Sequence, residues 1–213
     1  MMRSLSCVLI REGPSDDWFL PILLRRALEE LVVESFPACR EVQEVRPLPE
    51  AGNQHPETMI KTLKEERGTF DVVLYHHDGA PPAKSELVLG RIRQAYSASD
   101  LGEPLVAVVP MRETEAWLLA DRAALVRALN LRRLSREPLS GSEVESCPDP
   151  KVVIDALLRD EAGLNPKKKG ALRNFYLSVA ENAGIAELRK VPAFQQWWND
   201  MIEALEGLGY QHG

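Results

Sequence analysis

The sequence predicts an α/β fold: a mostly parallel sheet of about four strands flanked by helices, with a helical C-terminal part. Three observations predict it. Four short apolar runs, rich in β-branched residues, are separated by segments whose apolar residues recur near a 3.6-residue period. The intervals are long enough to hold a helix each, which implies parallel βαβ crossovers and a sheet covered on both faces. From residue 132 to residue 213 the pattern is helical only, so a core over 1–131 carries a helical extension over 132–213 packed upon it.

The elements follow in order. SLSCVLI, Ser4 to Ile10, is apolar enough for a buried strand, and GPSDD breaks the run. The next segment, DDWFLPILLRRALEELVVESF, reads as a long helix with Phe19, Ile22, Leu23, Ala27, Leu31 and Val32 on one face. Pro21 inside it marks either a first turn or a kink. EVQEVRPL, Glu41 to Leu48, reads as a strand nearer an edge, and a loop rich in Pro, Gly and Asn follows it. Pro56 to Gly68 forms a helix with Pro at its start and Gly after its end. Asp71 to His76 is the third strand, Lys84 to Ala98 a helix, Leu105 to Val109 the fourth strand, and Glu113 to Asn130 a helix. The polar stretch from Ser135 to Pro150 reads as a loop before the helical remainder.

The composition is that of a soluble globular protein: 213 residues, 45% hydrophobic, 27% charged, net charge -6. The longest apolar stretches fall far short of the roughly 20 residues that span a bilayer, and no charged-then-apolar leader opens the chain. A cytoplasmic protein without a membrane segment is the expectation. Cys7, Cys39 and Cys147 are odd in number and lack CxxC spacing, which argues against a disulfide frame or a thiolate zinc site. The acidic balance argues against coating nucleic acid by charge alone, but leaves room for a local basic patch or a metal among acids. Neither GxxxxGK[ST] nor GxGxxG occurs, so nothing supports nucleotide or dinucleotide binding by this chain.

Acids gather where the strands end. The first strand runs into Glu12, Asp16 and Asp17, the third into HHDG with Asp78, and the fourth into RETEAWLLAD with Glu113, Glu115 and Asp121. Ligands of open α/β sheets bind beyond the carboxyl ends of the strands, so these side chains are expected to share one rim. Converging carboxylates repel one another unless a divalent cation sits among them, and oxygen donors suit Mg²⁺ or Mn²⁺.

EGPSD after a first strand, an Asp-Gly pair after a later one, and the string RETEAWLLAD resemble the TOPRIM-like domains, the metal-binding fold of topoisomerases, primases and OLD nucleases. The resemblance is closest to small bacterial TOPRIM-like proteins encoded beside ATPases and associated with phage defence. It extends into the tail through KKKGALRNFYLSV and FQQWWNDMIEALEGLGY. It implies a metal-dependent nuclease acting on DNA or RNA, with Glu12 as metal ligand or general acid or base, Asp16 opening the first helix, and Asp78 as the second member of an Asp-x-Asp pair. His76 stands where the first Asp of that pair is usual. A neutral imidazole can ligate manganese or move a proton, but removes one charge from the site. Glu113, nearer the strand end, is the favoured further ligand, with Glu115 behind it. Lys84, or the cluster of Lys167, Lys168, Lys169 and Arg173, would contact phosphates.

Each of these residues also has a plainer reading. Asp16 and Asp17 would suit the first turn of a helix, and Asp78 before Gly79 suits a turn. Of His76 and His77, adjacent at a strand end, one is expected to be packed or solvated. Trp117 reads as core, Asp121 as a helix cap, and Trp197 and Trp198 as core or as stacking platforms for bases. The alternative to a nuclease is a non-catalytic TOPRIM-like partner whose acidic rim and helical tail dock on an ATPase or another protein.

Overall fold

The computed structural model describes residues 3–48, 55–79, 81–135, 139 and 141–212. The expected Ser4–Ile10 strand is two strands, β1 (Arg3–Leu5) and β2 (Cys7–Ile10). They part at Ser6, whose backbone N–H and hydroxyl both donate to Asp71 Oδ2, at 2.8 and 2.7 Å. The expected Glu41–Leu48 strand is likewise split, into β3 (Cys39–Val42), paired in parallel with β1, and β4 (Arg46–Pro47), paired in parallel with β2. Pro47, which has no N–H to give a ladder, sits on this edge strand as expected of proline. With β5 (Val72–His76) and β6 (Leu105–Val108) the larger sheet has the order β4-β2-β5-β6, all parallel. Of the loop expected after the second strand, residues 49–54 lie outside the described residues, as do 136–138 and 140 of the expected polar loop. In the described part of the latter, Gly141–Ser146 forms a 3-10 turn.

Asp16 and Asp17 do not open the first long helix. They belong to a separate 3-10 turn, Asp16–Trp18, and α1 (Leu20–Ser35) starts after it with Pro21 in its first turn and no kink to explain. These acids therefore occupy the first turn of a short 3-10 helix and not that of the long helix. Next come α2 (Pro56–Glu65) and α3 (Pro82–Ser97). The expected Glu113–Asn130 helix is two, α4 (Thr114–Leu118) and α5 (Arg122–Ala128). Asp121 separates them: its Oδ1 accepts from Ala123 N and Ala124 N, capping α5, while Oδ2 accepts from Gly184 N. The C-terminal part holds α6 (Pro150–Ala156), which continues as a π-helical turn over Leu157–Glu161, then α7 (Lys169–Asn182), α8 (Ile185–Leu188) and α9 (Pro192–Gly207).

Every residue of β2 and β5 is buried, because alternate side chains enter different cores. Cys7, Leu9, Val72 and Leu74 pack with α1, α4, α5, α7 and α9, whereas Val8, Ile10, Val73 and Tyr75 pack with α2 and α3. Trp117, Phe194 and Trp197 pack edge-to-face and tilted in the first core, with ring centroids 5.0 and 5.1 Å apart. Trp197 and Trp198 are both 1% exposed, so both are core and neither is placed to stack on bases. No helix of the described residues is long and apolar enough to cross a membrane.

The order β4-β2-β5-β6 sets the position of the crevice. β2 leads into α1 on one face and β5 into α3 on the other, so the chain diverges between these neighbouring strands at their carboxyl ends. Gly79 keeps the crevice narrow. Its N–H donates to Pro110 O at 2.8 Å, and a Cβ on it would lie 2.6 Å from that oxygen and 2.8 Å from Met111 O. Gly79→Ala should destabilise the fold by about 1–3 kcal/mol in urea unfolding, since backbone atoms must move. Gly90→Ala, in α3 with open space around it, should instead be neutral or stabilising by up to about 1 kcal/mol.

Candidate active site

The strand ends bring together most of the acids expected at the rim. Glu12, two residues beyond β2, reaches across to the end of β5: its Oε2 accepts from Asp78 N at 2.9 Å and lies 3.0 Å from His77 Nδ1. Asp16 closes its own loop, with Oδ2 accepting from Gly13 N at 2.7 Å, and reaches α4, with Oδ1 accepting from the Thr114 hydroxyl at 3.3 Å. Asp17 is drawn away by Arg11, 2.6 Å from its Oδ1, although burial raises its pKa.

His76 is the hub of the cluster and is fully buried. Its Nδ1 lies 2.9 Å from Val108 O, and because a carbonyl only accepts, that nitrogen carries the hydrogen. The Nε2 edge is thereby aimed at Thr114 Oγ1 (3.1 Å), Asp16 Oδ2 (3.6 Å) and Asp78 Oδ1 (3.7 Å). His77 is buried too and faces Glu12. Both histidines are packed, as was expected of at least one of them; they point to different sides, as strand residues do, and acids line both sides.

Asp78 has its pKa pushed up to about 6 by burial, an effect that His76 opposes and Glu12, Asp16 and Glu115 reinforce. Its Oδ1 is buried without a hydrogen-bond donor. Glu113 sits at the N-cap of α4 in extended conformation; its Oε1 accepts from Lys151 Nζ at 3.0 Å, and its Oε2 is also buried without a donor. Glu115, inside the helix, is buried and accepts from the Tyr176 hydroxyl at 2.6 Å. Burial raises its pKa against the pull of Tyr176 and Lys151.

Lys151 is the residue that sequence reasoning missed. It lies in the first turn of α6 and bridges the two glutamates, 3.0 Å from Glu113 and 3.9 Å from Glu115. Burial works to lower its pKa, but Glu115, Glu113 and Asp78 raise it further, so it stays an ammonium ion. Nothing around Lys151 in sequence marks it; only the fold carries it to the rim. Thr114 was missed as well, although it stands between the two glutamates that were singled out.

The expected phosphate contacts lie around this centre. Lys84 is exposed in the first turn of α3. Lys167, Lys168, Lys169 and Arg173 are exposed at the start of α7, and Lys169 Nζ lies 5.7 Å over the ring of Trp18 in the acidic turn. Trp18 in turn meets the edge of Tyr176, the donor to Glu115. Among the described residues no ion pair joins these five basic residues to the carboxylates.

Among the described residues no three His, Cys, Asp or Glu side chains form a ready-made metal group. Glu12 and Asp16 each turn an oxygen to a backbone amide. Asp78 Oδ1 and Glu113 Oε2 are orphaned carboxylate oxygens. The 3.6 and 3.7 Å spacings about His76 Nε2 fall between the roughly 3.0 and 4.2 Å expected for two donors of one ion with bonds of about 2.1 Å.

Fold and site together define a doubly covered parallel α/β protein with carboxylates and a histidine at its switch point. The chain belongs to the family described as Domain of unknown function (DUF4276), which matches residues 11–202 and so includes every site residue named above. Neither the curated proteins nor the solved structures give a match.

The raised pKa of Asp78 has a definite sign for stability. The folded chain keeps this proton up to a pH of about 6, whereas the unfolded chain releases it near 3.9. Folding stability from this group should therefore fall as pH rises through that window. Asp78→Asn should flatten that fall and at pH 7 be more stable than the parent, on the order of 1–2 kcal/mol by urea unfolding.

Proposed function

We propose that this chain is a metal-dependent nuclease of the TOPRIM-like kind, hydrolysing phosphodiester bonds of DNA or RNA. The observation that carries the reading is the convergence of Asp16, His76 and Asp78 at the switch point, with a carboxylate oxygen of Asp78 buried and lacking a donor. A buried, repelling group of this kind is what a cation would relieve. A bound Mg²⁺ or Mn²⁺ would supply Lewis-acid polarisation of the phosphate and a more acidic water.

The chain's own residues do the rest. Asp16, His76 and Asp78 would hold the ion, and the Thr114 hydroxyl lies within reach of both Asp16 Oδ1 and His76 Nε2, able to donate to one of them at a time. Glu12 fixes the Asp78 backbone through one oxygen and stands beside the centre as the general base or a further ligand. Lys151 and Glu113 form the opposite side, where the ammonium ion can balance charge growing on a phosphate. Lys84, Lys167, Lys168, Lys169 and Arg173 offer cations to the nucleic-acid backbone.

One observation favours the second reading, a non-catalytic rim that docks an ATPase or other protein. Glu12, Asp16 and Glu115 each already accept a hydrogen bond that braces the fold, from Asp78 N, Gly13 N and the Tyr176 hydroxyl. The two readings part on metal binding. If the nuclease reading holds, saturating Mn²⁺ or Mg²⁺ should raise the thermal midpoint by roughly 5 °C or more at about a hundredfold excess over Kd, and EDTA should reverse it. A Glu12→Gln, Asp78→Asn double variant should lose that response, and its cleavage of labelled DNA and RNA should fall at least roughly 100-fold. Lys151→Ala should keep the metal response while losing cleavage. A parent chain indifferent to metal, with a double variant equally or more stable, would leave the docking reading.

A further inference from the structure

A cleft of about 540 Å³ opens beside the rim, lined by Pro81, Pro82, Met111, Arg112 and Glu145. Ligand sites commonly have volumes of roughly 300–1,000 Å³, so the space suits a small molecule or one unit of a polymer. Two of its walls are the loops that carry the site. Pro81 follows Asp78 by three residues at the entry to α3, and Arg112 directly precedes Glu113. The Gly79 N–H, donating to Pro110 O at 2.8 Å, ties these loops together, so the cleft keeps a fixed place next to Asp78 and Glu113.

The lining is divided by its chemistry. Pro81 and Pro82 are exposed and have no N–H to donate, and Met111 is 41% exposed, a large apolar side chain left in solvent at the edge of a charged site. Such a surface suits a flat apolar face, and a thioether packs well against a π system. Arg112 is exposed and its side chain makes no ion pair among the described residues; the same holds for Lys84, two residues beyond Pro82. Glu145, from the turn Gly141–Ser146, accepts from Ala193 N at 2.8 Å and keeps a negative charge in the lining, which turns a phosphate away from itself and toward Arg112.

An anionic group joined to a flat ring with an apolar face is a nucleotide, and only a base outside a duplex has that face free. We propose that this cleft receives an unpaired base beside the phosphodiester to be cut, with Arg112 and Lys84 on the adjoining phosphates, so that the substrate is single-stranded nucleic acid. This rests on the nuclease reading above and names its substrate class. The net charge of -6 agrees with it, because a duplex brings two rows of phosphates to the rim carboxylates while hiding its bases.

The test is fluorescence anisotropy of the full chain with labelled oligonucleotides of about 12 nucleotides, in EDTA so that none is cut. The probes are single-stranded DNA, single-stranded RNA, the DNA duplex of the same sequence and an abasic DNA strand of the same length. The better of the two single strands should bind roughly 10-fold or more tighter than the duplex and than the abasic strand, since one stacked base contributes on that scale. Met111→Ser should lose most of the preference over the abasic strand. Arg112→Ala should weaken base-bearing and abasic strands alike and reduce the salt dependence by about one phosphate contact. In the parent chain, a duplex or abasic strand bound as tightly as the single strands, or no binding of any probe, overturns the inference whether or not the variants fold. A folded Met111→Ser that keeps the full preference overturns it as well. If metal-dependent cleavage is seen in spite of any of these results, the nuclease reading survives and only the substrate class falls. Neither binding nor cleavage of any probe would remove both.

Discussion

Repulsion between carboxylates at the ends of β2 and β5 is the constraint around which the rest of this structure is arranged. Glu12, Asp16 and Asp78 come from strands that the sheet order forces together at the switch point, and the fold cannot move them apart without breaking the β2–β5 pairing. What lies around them answers that charge. Two backbone amides and a threonine hydroxyl donate to these oxygens, and the His77 ring lies 3.0 Å from Glu12. Burial makes the problem worse, because low polarity strengthens repulsion as much as attraction. Asp78 shows both effects: burial raises its pKa most, and Glu12, Asp16 and Glu115 add to the rise against the pull of His76.

The C-terminal helices complete this arrangement and do not simply cover the sheet. α6 brings Lys151 to Glu113 and Glu115, and α7 brings the Tyr176 hydroxyl to Glu115. The same helix carries Lys169 over Trp18, which belongs to the turn that holds Asp16. Apolar packing positions all of this: α7 and α9 share one core with α1 and a face of the sheet, through Phe175, Val179, Phe194 and Met201. A chain stopped near residue 131 would lose the cation beside Glu113, the donor to Glu115 and the helices that share a core with one face of the sheet.

How far the sequence discloses this depends on the range of the interaction. The fold class and the four apolar strand regions are written in local patterns, the alternation of 2-residue and 3.6-residue periods, and they are present in the structure with shifted edges. The splitting of the first strand at Ser6 was not legible, since it depends on Asp71, 65 residues away. Nor was the separation of Asp16 from α1, because DDW followed by an apolar run looks like a helix start. The rim acids were legible by type and by position after strands. Which of them meet was not: His77 reaching Glu12, Thr114 joining Asp16 to His76, and Lys151 bridging two glutamates all follow from sheet order and helix docking. Residues with a plain local role were read correctly, as with the cap at Asp121 and the core position of Trp117.

Asp121 supplies the standard against which the other acids can be judged. It is buried like Asp16 and Glu115, yet its two oxygens accept three backbone N–H groups, and the helix it caps and the Gly184 turn it ties both depend on it. That is what a structural carboxylate looks like when the fold has been free to satisfy it. Asp78 and Glu113 differ in the respect that matters: each keeps a buried oxygen with no donor, a condition that costs about 1–3 kcal/mol apiece where it is not relieved. Replacing either by a neutral residue would remove that penalty along with the charge contact to His76 or to Lys151, and no side-chain helix cap would be lost. A fold that satisfies Asp121 so fully has the means to satisfy Asp78, since Gly79 N–H, one residue away, is directed instead to Pro110 O. Asp78 and Glu113 thus each keep an oxygen to which no described residue donates, in a fold that elsewhere satisfies a buried carboxylate in full.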